Sequence, residues 1–268
     1  YCWNNRFGNH LIAFINLIYF AFYQNNAKAV IVPEHPLFTF VKKNLEKKKV
    51  CQSDEIVDVT RKINPCGKLI TLELMKEICD KYVTFKHEIP NESKYDICMH
   101  IRDGDIFKNL IHFEYVQPPL DYYYQVIKNN PSKKICILYP DGNSPIIPKL
   151  KKVIGDKNIT NVDFQSGKMN EDIITLASSK MLIWSFSSFC IIPYMFSKTL
   201  KKVIIPESII KRKRGRPWFS LKENSEICVV NLPDYILVGY WKNTEQQIEK
   251  ILNYKLKETE KEKLLLQE

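Results

Sequence analysis

Two stretches end an apolar run in residues that could hold a phosphate: CMHIRDGD at 98–105 and WSFSSF at 184–189. In the first, Arg102 offers a planar fork able to grip a diphosphate with two hydrogen bonds. His100 could bond a phosphate, a ribose or a base, and Asp105 could orient either partner. The same segment also reads as a D-x-D metal site, Asp103-Gly104-Asp105. That reading sets the Arg102 charge against the cation, so electrostatics favours the metal-free pyrophosphate grip. A structural Arg–Asp pair closing a strand end is the plain alternative.

In the second stretch Ser187 or Ser188 could cap the following helix, and the same geometry presents hydroxyls and N–H groups to a phosphate. Phe189 could cover a base or a sugar. Asp172, sixteen residues before Ser188 and at the start of MNEDIITLASS, could face the same cleft or simply favour the first turn of its own helix. A third stretch, NNRFGNHL at 4–11, reads as a glycine loop entering a helix: Gly8 would let backbone approach a ligand, with Arg6 and Asn9 beside it. In YVQPPLDYYYQVI the prolines start a helix, and Tyr122, Tyr123 and Tyr124 suit packing better than substrate stacking. KRKRGRPWFS at 211–220 contains the R-G-R-P of a minor-groove DNA binder, but the copy is single and runs into Trp218-Phe219. It reads better as a solvated or anion-steering rim.

The elements that must position these residues alternate. Apolar, β-branched runs at 28–33, 55–60, 95–102, 133–140, 180–186, 201–206 and 226–232 predict strands. Segments at 10–25, about 36–48, 71–82, 118–130, 144–154, 169–179 and 188–199 predict helices. Such alternation implies an α/β protein with largely parallel sheets covered on both faces. In that architecture ligands sit beyond the carboxyl ends of the strands, where His100, Arg102 and the serines lie. The polar stretch 84–94 suggests a hinge, giving an N-terminal lobe over 1–90, a C-terminal nucleotide-binding lobe over 91–242 and a charged helical tail over 243–268 that frays into KETEKEK.

A chain of 268 residues that is 45% hydrophobic can bury a real core, and a net charge of +10 points to anionic partners. Only six of the cations are arginines, which makes Arg6 and Arg102 more telling than the many lysines. The eight cysteines form no C-x-x-C pair, hence no zinc-type spacing, and several sit in apolar runs. This usage favours a reducing compartment and a cytoplasmic location over the Golgi or ER lumen, where the sequons at Asn91 and Asn158 could carry glycans. The apolar run 11–23 falls short of the roughly 18–20 residues that span a bilayer and reads as a buried helix. The chain starts at Tyr1 without an initiator Met, which leaves an upstream membrane segment open.

Taken in order, NRFGN, HIRDGD and SSF resemble the fucosyltransferase superfamily that groups α1,2-, α1,6- and protein O-fucosyltransferases, with the α1,2-enzymes nearest. His100-Ile101-Arg102-Asp103-Gly104-Asp105 is similar to its H-x-R-x-G-D signature, and Arg6-Phe7-Gly8-Asn9 to its N-terminal glycine loop. The resemblance implies a GT-B-like fold of two Rossmann-like lobes and inverting transfer from GDP-fucose to a glycan or protein hydroxyl, with no metal or other cofactor and no nucleic-acid partner. It implies that Arg102 neutralises the diphosphate, His100 holds the nucleotide, Asp172 accepts from guanine, and Ser187 and Ser188 bind phosphate oxygens. Asn9, with Gly8, would lie near the reacting centre. Asp103 stands where many α1,2-enzymes have a second arginine, and His10 where glutamine is frequent, so another GDP- or UDP-sugar stays open. Asp105, Glu114 and His10 are the candidates for a general base.

Overall fold

The computed structural model describes residues 7–24, 34–40, 69–104, 106–107, 113–140, 142–211, 219–223, 225 and 227–266. They form two compact units, one of residues 1–88 with 218–222 and one of 89–217 with 223–268. The break between Glu88 and Ile89 lies inside the polar stretch 84–94. Residues 218–222 belong to the first unit, where the Leu72 N–H donates to the Ser220 carbonyl at 2.8 Å.

In the first unit, helix α1 (Phe7–Ile18) continues into a π-helical segment, Tyr19–Gln24, and packs on α2 (Leu72–Tyr82). Its apolar residues are spaced to form an inward stripe, and Leu11, Ile12, Phe14, Ile15 and Ile18 are buried as a buried helix requires. Thr71 caps α2, its hydroxyl accepting from the Leu74 N–H. Among the described residues no helix is long and apolar enough to cross a membrane. The helix expected over 36–48 gives way at its start to strand β1 (Phe38–Phe40), antiparallel to β2 (Val83–Phe85). Phe38 and Phe85 are register partners there, and such a cross-strand aromatic pair outweighs the local helical pattern. The apolar runs 28–33 and 55–60 lie outside the described residues.

The second unit is built on one six-stranded sheet. Its strands are β3 (Ile97–His100), β4 (Ile135–Leu138), β5 (Val162–Gln165), β6 (Met181–Ile183), β7 (Lys202–Pro206) and β8 (Cys228–Val230). They lie in the order β5-β4-β3-β6-β7-β8, every neighbouring pair parallel. Counted from β3, this is the 3-2-1-4-5-6 order of a Rossmann-like sheet. The central strands β3, β4 and β6 are buried throughout, which explains their unbroken Ile, Leu, Met and Cys content. Strand β5 was not among the strands read from the sequence. At the sheet edge it needs little apolar content, and VDFQ is accordingly half polar, with none of its four residues buried.

The crossover helices are α3 (Leu120–Asn129), α4 (Ile146–Asp156), α5 (Met169–Ser178) and α6 (Ile191–Phe196). Contacts sort them into two groups: α5 with α6, and α3 with α4 and the C-terminal helices α7 (Glu245–Asn253) and α8 (Glu258–Glu262). The tail does not fray at KETEKEK. Leu256, Leu264 and Leu266 are buried, and the Asn130 side chain donates to the Leu264 carbonyl at 2.8 Å while accepting from the Leu266 N–H at 2.8 Å.

Candidate functional site

Strand β3 pairs with β4 on one side and β6 on the other, and the chain order reverses between β3 and β6. In such sheets the connections leaving the two carboxyl ends diverge and open a crevice. The two phosphate-binding candidates meet at this point although 85 residues separate His100 from Ser185. His100 Nδ1 lies 2.8 Å from Ser185 Oγ, Arg102 Nη1 donates to the Phe186 carbonyl at 3.2 Å, and the Phe189 ring lies 5.2 Å from the imidazole.

Arg102 is held from behind by residues that sequence reasoning did not single out. Its guanidinium carbon sits 3.9 Å over the Tyr115 ring, and its backbone carbonyl accepts from Gln117 Nε2 at 3.0 Å. Gln117 is fully buried, and its own carbonyl accepts from Tyr235 at 2.8 Å. The segment before Pro118-Pro119 therefore works as a strap that fixes both ends of the arginine. The available signal was the pair of prolines, which keep 115–117 extended ahead of α3. Tyr122 and Tyr123 of that helix are buried packing residues, as their sequence context suggested.

Ser187 takes the first of the roles expected of the two serines, that of a cap. Ser187 is buried and accepts from the Phe189 N–H at 3.2 Å, while the Trp184 indole donates to its carbonyl at 2.7 Å. It acts as the cap of the turn Ser188–Cys190 that leads into α6. Ser188 is half-buried, and its hydroxyl has no hydrogen-bond partner among the described residues.

Burial pushes the His100 pKa down to about 3, and the nearby Arg102 charge adds to the effect, so the imidazole is neutral at any ordinary pH. Asp172 is moved the other way. Burial pushes its carboxyl up to about 6, the Gln165 hydrogen bond opposes this, and the Glu171 charge adds to it. It opens α5 beyond the carboxyl end of β5, two strands out from β3 or about 10 Å across the sheet. Its Oδ1 accepts from Gln165 Nε2 at 3.2 Å.

Asp103 is buried, and its Oδ1 accepts from the N–H of Gly104, which has the left-handed φ of +73°. The carboxylate fills the space beside Gly142, where an added Cβ would come within 2.8 Å of Oδ1. Asp103 thus staples its own loop, and Asp105 lies outside the described residues. Among the described residues no group of three or more His, Cys, Asp or Glu could hold a metal ion.

The N-terminal motif differs from its sequence reading. Gly8 and Asn9 lie inside the first turns of α1, so the expected glycine loop is helical at these positions. The apolar stripe through Leu11, Ile12, Phe14 and Ile15 supplies enough packing for the helix to tolerate one glycine. Asn9 Oδ1 is enclosed without a hydrogen-bond partner, an arrangement that costs roughly 1–3 kcal/mol. Next to it, His10 Nδ1 lies 3.4 Å from Nε2 of the buried His35, whose Nδ1 accepts from the Leu37 N–H at 3.1 Å. His35 therefore carries its proton on Nε2 and donates to His10. Arg6 and the basic stretch 212–218 lie outside the described residues.

The structure thus brings His100 and Arg102 together with the segment holding Ser187, Ser188 and Phe189 at the carboxyl ends of β3 and β6, sets Asp172 further along the same sheet end, and places Gly8 and Asn9 in the other unit. No family model matches the chain, and comparisons with curated proteins and with solved structures likewise find no match.

Proposed function

We propose that the crevice between β3 and β6 binds the diphosphate of a nucleotide sugar, and that the chain is an inverting, metal-independent glycosyltransferase with GDP-fucose as donor and a glycan or protein hydroxyl as acceptor. The observation that carries this reading is the convergence of Arg102 and His100 with the segment 185–189 at the switch point of a Rossmann-like sheet. The resemblance of the H-x-R-x-G-D and glycine-motif residues to fucosyltransferases supplies the donor sugar and the GT-B-like pairing of lobes.

In such a transfer the acceptor oxygen attacks the anomeric carbon while the bond from that carbon to the diphosphate breaks. The bonding electrons stay on GDP, and the acceptor proton leaves to a base or to water. Charge therefore builds on the diphosphate in the transition state, where fixed donors lower the barrier most. Arg102, already oriented by Tyr115 and Gln117, would meet that charge with little reorganisation.

The test is thermal stabilisation of the protein by GDP, GDP-fucose, UDP and UDP-sugars, each with manganese or chelator, and by an A·T-rich duplex. A ligand at one hundred times its Kd stabilises the native state by about 2.7 kcal/mol, a shift readily measured. GDP and GDP-fucose are expected to raise Tm with chelator present. A shift confined to UDP with manganese, or to the duplex, would overturn the reading.

A further inference from the structure

His100 and Ser185 together define which way the imidazole faces. Ser185 is fully buried, and His100 Nδ1 at 2.8 Å is the partner of its hydroxyl oxygen. Two arrangements fit that distance. If Nδ1–H donated to the hydroxyl, the serine proton would be left in a sealed site with no acceptor, at a cost of roughly 1–3 kcal/mol. If the hydroxyl donates to Nδ1, the serine is satisfied and the ring proton must sit on Nε2. Among the described residues Nε2 has no hydrogen-bond partner, and it is not one of the enclosed, unpartnered polar atoms.

We infer that Ser185 locks His100 as its neutral Nε2–H tautomer, making the ring a fixed hydrogen-bond donor for a phosphate oxygen and Ser185 its positioning residue. The inference rests on the proposed nucleotide-sugar reading for the identity of the ligand, but not for the tautomer. The opposite tautomer would present a lone pair beside Arg102 and repel a phosphate. In the locked form, Nε2–H adds a neutral donor to the Arg102 charge for an anionic group.

The tautomer is read directly by ¹⁵N NMR of the imidazoles in the ligand-free protein. The expected spectrum shows His100 with a pyridine-type Nδ1 and a pyrrole-type Nε2, assigned by its loss in His100→Gln. Ser185→Ala should mix or reverse the tautomer and weaken binding of GDP and inorganic pyrophosphate by the same factor, about tenfold for one hydrogen bond to a charged group. Guanosine binding should be unchanged, and Ser185→Thr, which keeps the hydroxyl, should restore the wild-type spectrum. A wild-type spectrum with the proton on Nδ1 overturns the inference without any variant having to fold. So does Ser185→Ala with unchanged tautomer and affinity. If neither GDP nor pyrophosphate binds the wild-type protein, the phosphate assignment falls with the proposed function, while the spectrum still judges the Ser185 lock.

Discussion

Acidification from pH 7 to pH 5 should act on the second unit through two site residues that pull in opposite directions. His100 is held at about 3 against an ordinary 6.5, so the unfolded chain takes up its proton first. Its contribution to stability is complete above about 6.5 and is lost as the pH falls from there toward 3. At about 1.4 kcal/mol per pH unit, the loss by pH 5 is about 2 kcal/mol. Asp172 has its pKa raised from 3.8 to about 6, so its ionised form burdens the native state above 6 and the burden lifts as the pH falls toward 3.8. Over the same interval this returns about 1 kcal/mol. The wild-type unit should therefore lose only about 1 kcal/mol, whereas Asp172→Asn, which has nothing to return, should lose about 2. Native-state hydrogen exchange of the β4 amides along a urea series reports this unit separately from the other. Equal losses in wild type and Asp172→Asn would refute the Asp172 half of the argument. An undiminished pH slope in His100→Gln would refute the other half.

Arg102→Ala should abolish GDP stabilisation and lower transfer by roughly a hundred- to a thousand-fold, with the far-UV spectrum unchanged; retained turnover would remove Arg102 from the chemistry. Gln117→Leu deletes the bond to the Arg102 carbonyl while keeping the site filled, so donor affinity measured by calorimetry should fall about fivefold, as for one net hydrogen bond. Gly142→Ala would drive a Cβ to 2.8 Å from Asp103 Oδ1 and push the carboxylate off the Gly104 N–H. The urea midpoint should drop by the equivalent of about 1–3 kcal/mol, and most of that cost should vanish when Asp103→Ala is already present. An additive double mutant would show that Gly142 does not press on Asp103.

The elements legible in the sequence share a simple origin. Strands β3, β4, β6, β7 and β8 are apolar because a covered parallel sheet needs them so, and His100, Arg102 and Ser187 stand where apolar runs stop. What escaped has equally definite causes. Strand β5 lies at an edge, and its polar residues hide the period. Phe38–Phe40 is a strand because of a partner more than forty residues away. Tyr115, Gln117 and Ser185 carry no motif, and their roles exist only because tertiary packing sets them against Arg102 and His100. Gly8 was read by the glycine's local freedom, yet the helix that buries Leu11 and Ile15 reaches back through it.

Arg102 and His100 bear on the proposed anionic ligand more directly than the net charge of the chain does. Arg102 stands beside an imidazole that burial keeps neutral, so these two basic groups do not set two buried charges together. Protonating His100 as well would set a second positive charge against Arg102. The strap under Arg102 and the serine behind His100 serve the same end by different means. One orients a charge, the other a dipole, and both do so from the protected side of the sheet before any ligand arrives.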